Sequence, residues 1–104
     1  MHPLIQDKLP ELRELCRKNR VRTLSLFGSA ATGGFDPDHS DVDLLVEFER
    51  IEEPGVLSGS FFGLLHGAED LFERRIDLVC DRAIENPMFR EIVDRTKVPL
   101  YAAA

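Results

Sequence analysis

Residues 41–48, DVDLLVEF, limit the folds open to this chain more than any other segment. Their alternation places Val42, Leu44, Val46 and Phe48 on one face of a strand and Asp41, Asp43, Leu45 and Glu47 on the other. A strand with one wholly apolar face belongs to a sheet covered on that side, and the rest of the chain supplies the cover. Val21–Phe27, VRTLSLF, reads as a second buried strand that stops at Gly28, and Ile76–Cys80, IDLVC, as a short third one. Ile5, Leu9, Leu12 and Cys16 recur at helical intervals, predicting a helix to about residue 19, with Pro10 either in its first turns or kinking it. Residues 33–40, GGFDPDHS, form a loop, and residues 51–60, with Pro54, Gly55 and Gly59, form another. Phe61, Leu64, Leu65, Ala68, Leu71 and Phe72 then make a helical stripe, with Ser58 or Ser60 as cap and with Gly63 and Gly67 interrupting it. Asn86-Pro87 starts a last helix whose buried face is Phe89, Ile92 and Val93. Residues 98–101, VPLY, add a strand that Pro99 confines to a sheet edge. The predicted fold class is α/β (α+β), helices packed on a small sheet.

At 104 residues the chain has room for one domain, spanning residues 1–104. A net charge of -6 argues against a broad grip on polymeric nucleic acid, which needs Lys and Arg to displace counterions. It suits a small phosphorylated ligand held through a metal, or a basic protein surface. Cys16 and Cys80 have no patterned partners, so neither a disulfide framework nor a zinc site is expected, and a reducing cytoplasm is. No apolar run reaches the roughly 18 residues that a membrane crossing needs. Domains this small leave more than about a third of their unfolded-state surface exposed, so a homodimer or hetero-oligomer is an expected way to cover apolar surface.

Asp41 and Asp43, two residues apart, send their carboxylates to the same side. That pairing is unfavourable without a cation between them, and oxygen ligands at this spacing suit Mg²⁺ with substrate phosphate. D-x-D is equally the polar face of an exposed strand. Gly28-Ser29 ends the first strand where a short helix can open, offering backbone N–H groups and a hydroxyl to phosphate. Eleven residues separate Ser29 from Asp41, enough to fold the second strand back beside the first. Asp77 is a polar residue in an apolar strand, which points either to the same site or to an ion pair with Arg74 or Arg75. Three carboxylates beside a phosphate-binding turn are the parts that two-metal nucleotidyl transfer requires.

Phe27-Gly28-Ser29, then Ser40-Asp41-Val42-Asp43-Leu44-Leu45-Val46, then Ile76-Asp77-Leu78-Val79, resembles the G-S…D-x-D…D signature of the DNA polymerase beta-like nucleotidyltransferase superfamily. With its ending Asn86-Pro87…Val98-Pro99-Leu100-Tyr101, the chain is similar to the minimal nucleotidyltransferase (MNT) proteins, usually encoded beside a HEPN-domain ribonuclease toxin. The resemblance implies that Gly28 and Ser29 contact the triphosphate, Asp41 and Asp43 bind two Mg²⁺ ions, and Asp77 completes the metal site and helps activate the acceptor. It further implies transfer of AMP from ATP to a hydroxyl on the HEPN toxin, which makes this chain the antitoxin. Two departures stand out: Thr32 occupies the place where many such proteins carry Arg, and the Ser29-to-Asp41 interval is one residue longer than the commonest spacing. Competing readings are a non-catalytic binding antitoxin with a vestigial nucleotide site, and transfer to a small molecule such as an aminoglycoside. His39 and His66 are read as surface or packing residues, Glu47 and Glu49 as a solvated or partner-facing strip, and Phe61-Phe62 as more apolar surface than one helix face needs.

Overall fold

The computed structural model describes residues 1–104. A four-stranded sheet runs through it in the order β3-β2-β1-β4, built from β1 (Val21–Phe27), β2 (Val42–Phe48), β3 (Ile76–Cys80) and β4 (Val98–Ala102). β1 pairs antiparallel with β2 and β4, whereas β2 and β3 run parallel. Parallel neighbours need a long crossover, and α4 (Val56–Phe72) supplies it. Pro99 does lie on an edge strand.

One face of the sheet carries the main core. Leu24, Leu26, Val42, Leu44, Val46, Ile76 and Leu100 pack there against Ile5 of α1 (Pro3–Gln6), Leu12 and Cys16 of α2 (Leu9–Lys18), and Leu64, Ala68 and Phe72 of α4. Most of these side chains are wholly buried, each contributing about 1.5–3 kcal/mol. Burial pushes the Cys16 thiol up to about 12, so it behaves as a hydrophobe. The opposite face is smaller: Phe27, Leu45 and Val93 of α5 (Pro87–Thr96), with Val79 and Ile84 beside them.

Three expectations are corrected. The N-terminal helix is two pieces, α1 and α2, with Pro10 in the first turn of α2, where its missing N–H costs nothing. The second loop is shorter than residues 51–60, because α4 begins at Val56 behind Gly55, whose φ of 80° closes the turn; Ser58 and Ser60 therefore lie inside the helix, and Ser60 is buried. Asn86 caps α5 as expected, accepting from the Met88 and Phe89 amides at 2.9 and 3.1 Å, but of Phe89, Ile92 and Val93 only Val93 is buried. The smaller face offers too narrow an apolar floor to take all three.

Gly63 and Gly67 are explained by α2, which crosses so closely that a Cβ on Gly67 would stand 2.5 and 2.8 Å from the Leu15 methyls. Gly59, in the same helix, faces open space. Gly59→Ala is therefore expected to stabilise the protein by roughly 1 kcal/mol through helix propensity. At Gly67→Ala the same gain is offset by repacking Leu15, at about 1–3 kcal/mol. Denaturant unfolding of the two variants should show a gain for the first and none for the second.

Candidate active site

The ends of β1 and the beginnings of β2 and β3 meet at one end of the sheet, on the face opposite the main core. The registers pair Phe27 with Asp43 and Asp43 with Asp77, which sets Gly28 and all three acids at this end. Gly28 has φ 69° and ψ -153°, a conformation open essentially to glycine alone. A Cβ there would run into the Asp43 carboxylate, with Cγ of Asp43 only 3.0 Å away. The glycine thus serves the turn and the close approach of Asp43 together.

After Gly28 the chain makes the short helix α3 (Ser29–Thr32). Its first hydrogen bonds run from the Ala31 and Thr32 amides to the Gly28 carbonyl, both 3.1 Å, so the amides of Ser29 and Ala30 precede the helical ladder. The Thr32 hydroxyl also donates to the Gly28 carbonyl, at 3.1 Å, and is thereby occupied within its own turn.

Asp43 is half-buried, and its carboxyl is pushed up to about 6, first by burial and then by the charges of Asp77 and Asp41; a hydrogen bond with the Asp77 side chain adds to the shift. Asp41 and Asp77 are exposed. Arg75 reaches toward Asp41, Nε to Oδ2 3.9 Å, while Arg74 lies over the Phe35 ring at 5.1 Å and donates to the Ser40 carbonyl at 3.3 Å. Neither arginine pairs with Asp77, so the ion-pair explanation for that acid falls away. The structure thus brings Asp43 against Asp77, with Asp41 adding its charge from the strand's start, yet no three His, Cys, Asp or Glu side chains converge on one point.

Arg74 is the supporting residue that sequence reasoning missed. It ties residues 33–40 to the turn ahead of β3, a role the sequence did not signal, since there Arg74 stood only as a candidate ion-pair partner of Asp77. Phe35 also meets the His2 ring at 4.9 Å, and the loop's acidic turn is braced internally. Asp36 accepts from the Asp38 amide at 2.9 Å and contacts His39 Nδ1 at 2.8 Å, which together hold its carboxyl below the usual range. His39 is thereby committed to the loop; His66 pairs with Glu69 at 3.0 Å, and Glu47 and Glu49 face Arg22 and Arg20 on the surface.

A Gly-Ser turn, with Asp43 and Asp77 on neighbouring strands and Asp41 just ahead of β2, at one end of a four-stranded mixed sheet defines the class, a nucleotidyltransferase fold. The chain belongs to the nucleotidyltransferase domain family, whose model matches residues 10–98. A Methanocaldococcus jannaschii protein, provisionally named a protein adenylyltransferase, is 34% identical over 91 residues, covering 86% of this chain and 88% of that protein. Protein adenylyltransferase MntA of Thermococcus cleftensis is 35% identical over 81 residues, 78% of this chain and 77% of its own. Among solved structures, one provisionally named a minimal nucleotidyltransferase superposes with a TM-score of 0.74 at 32% identity, over 92% of each chain. A Shewanella oneidensis complex of tri-AMPylated HEPN toxin with its MNT antitoxin shares the fold at TM-score 0.63 and 18% identity, over 94% of this chain and 72% of that one. The chain is a nucleotidyltransferase, and a nucleotide is its substrate.

Proposed function

We propose that this chain transfers AMP from ATP to a hydroxyl of a protein partner, a HEPN-domain toxin, and acts as the antitoxin of the pair. The observation that carries the reading is Asp43, half-buried against the Cβ-less Gly28 with Asp77 and Asp41 raising its carboxyl to about 6. Such a carboxylate is an unstable anion until a cation joins it, and an all-oxygen donor set with one or two carboxylates fits Mg²⁺. Asp41, Asp43 and Asp77 would hold it, with two ions expected once ATP phosphates complete the ligands. Bound there, Mg²⁺ neutralises phosphate charge and makes the acceptor hydroxyl more acidic.

The chain's own residues account for the rest. Ser29 and the amides at the start of α3 hold the triphosphate, and Gly28 lets it approach the backbone. Asp77 takes the proton of the acceptor hydroxyl as its oxygen bonds to the α-phosphorus; the bond from that phosphorus to the β-phosphate oxygen breaks, and pyrophosphate leaves. The names of the curated relatives, protein adenylyltransferases, support the protein acceptor. The fold shared with the toxin–antitoxin complexes, one of them with AMP-PNP at TM-score 0.68 and 20% identity, supports the HEPN partner. On this reading residues 1–104 work as one domain in the cytoplasm, where Cys16 and Cys80 stay free thiols.

Thr32, folded back on Gly28 where the family often has Arg, favours a second reading, neutralisation by docking alone. Stoichiometry separates the two. With ATP labelled in its α-phosphate, catalytic amounts of the chain should label an excess of its HEPN-domain partner; labelling that stops at one equivalent per chain, or none, would favour docking.

A further inference from the structure

Val93, on the underside of α5, packs on Phe27 and Leu45 where the helix crosses the smaller sheet face. Its two flanks differ. Arg90, Asp94 and Lys97 form one flank; Arg90 bonds Asp81 at 2.8 Å, and Lys97 and Asp81 line a cavity of about 330 Å³ with Thr23, Ser25 and Glu47. That flank looks away from the acids. On the other flank, the Phe89 ring meets Phe27 edge-on at 6.0 Å, and Phe27 is both the residue before Gly28 and the register partner of Asp43. From this floor the apolar side of α5 climbs outward through Phe89, Ile92 and Met88, which are 39%, 49% and 72% exposed. This apolar side therefore stands above Phe27, beside the end of the sheet that carries the acids.

We propose that the Phe89, Ile92 and Met88 side of α5 is where the acceptor protein docks, seating an apolar segment flanked by basic residues so that its hydroxyl reaches the acids. This rests on the reading of the chain as a protein nucleotidyltransferase. A nucleobase beside the acids would cover only the floor and leave the Met88 crest in water, whereas a protein segment covers both. The charges beside the crest choose its chemistry: exposed Glu85 and Glu91 stand outside the ion pairs of this surface, with Arg95 the one cation to set against them, so the complementary segment is basic.

Met88→Lys and Ile92→Lys place cations on exposed positions, against both the apolar and the charge complementarity, and leave the fold intact; Phe62→Lys makes the same change at a 53% exposed site on α4 and is the control. Three quantities are read with a HEPN-domain toxin as the partner: its affinity for each variant, the dependence of AMP transfer on its concentration, and the affinity of each variant for Mg·ATP. The proposal expects about tenfold or greater weakening of partner binding for the α5 variants, a matching rise in KM with kcat kept, and unchanged nucleotide affinity. Met88→Leu should behave as wild type. Partner binding left intact in both α5 variants overturns the proposal, and so does a loss of Mg·ATP affinity, which would give this side of α5 to the nucleotide. Because partner affinity is measured without turnover, absence of AMP transfer in the wild-type chain would count against the enzymatic reading and leave this result standing.

Discussion

Asp43→Asn is expected to lower nucleotidyl transfer by about a thousandfold or more while making the metal-free protein more stable at neutral pH. On the proposed reading the loss follows from removing a carboxylate that would hold Mg²⁺, whose contribution to phosphoryl-type transition states is several kcal/mol. The gain follows from the direction in which the Asp43 carboxyl moves. It is raised from 3.8 to about 6, so the folded state holds the proton more tightly than the unfolded chain does. Stability from this group is complete below pH 3.8, declines as pH rises, and is lost above about 6. The asparagine removes the penalty that the anion imposes. For a fully buried carboxyl a rise of this size would correspond to about 3 kcal/mol, and solvent screening of the half-exposed Asp43 side chain reduces this to about 1 kcal/mol. Thermal unfolding in EDTA should show a benefit that is absent at about pH 3.5 and present at about pH 7, and added Mg²⁺ should stabilise the wild type but not the variant. An asparagine variant that is less stable at neutral pH, or that keeps its activity, would contradict the role given to Asp43.

Gly28→Ala is the second large effect. An alanine there meets two obstacles: a backbone conformation worth about 1–3 kcal/mol of strain, and a methyl group placed on the Asp43 carboxylate, with a similar repacking cost. The expected loss is about 2–5 kcal/mol, a fall in Tm of roughly 10 °C or more for a domain of this size. Since the methyl displaces Asp43, activity should fall along with stability. Ser29→Ala separates the two: it should weaken ATP binding with little change in Tm. A Gly28→Ala protein as stable as the wild type would show that the turn is not held as described.

Much of this organisation was legible because it rests on short periods. The two-residue alternation of β2 and the apolar runs of β1 and β3 predicted the sheet, and Asn86-Pro87 marked the start of α5 through cap chemistry that is local by nature. The i, i+2 spacing predicted the carboxylates of Asp41 and Asp43 on one side; Asp41 lies just ahead of β2, and its charge acts on Asp43. What was not legible depends on tertiary contact. Ser58 and Ser60 are better caps than Gly55 on propensity, yet α4 begins at Val56, directly after the left-handed turn at Gly55. Phe89, Ile92 and Val93 carry one apolar period, which does not distinguish a core-facing side from one left open to water. Whether Arg74 or Arg75 would neutralise Asp77 depended on Phe35 and Ser40, residues more than thirty positions earlier, which draw Arg74 away.

The most direct test of protein nucleotidyl transfer through Asp41 and Asp43 is the intact mass of a HEPN-domain toxin partner after incubation with catalytic amounts of the wild type, Mg²⁺ and ATP, in parallel with an Asp41→Ala/Asp43→Ala variant. Whole added AMP units are expected on an excess of the partner with the wild type, and none with the variant. An unmodified partner held in a stable stoichiometric complex by both proteins would contradict the enzymatic role.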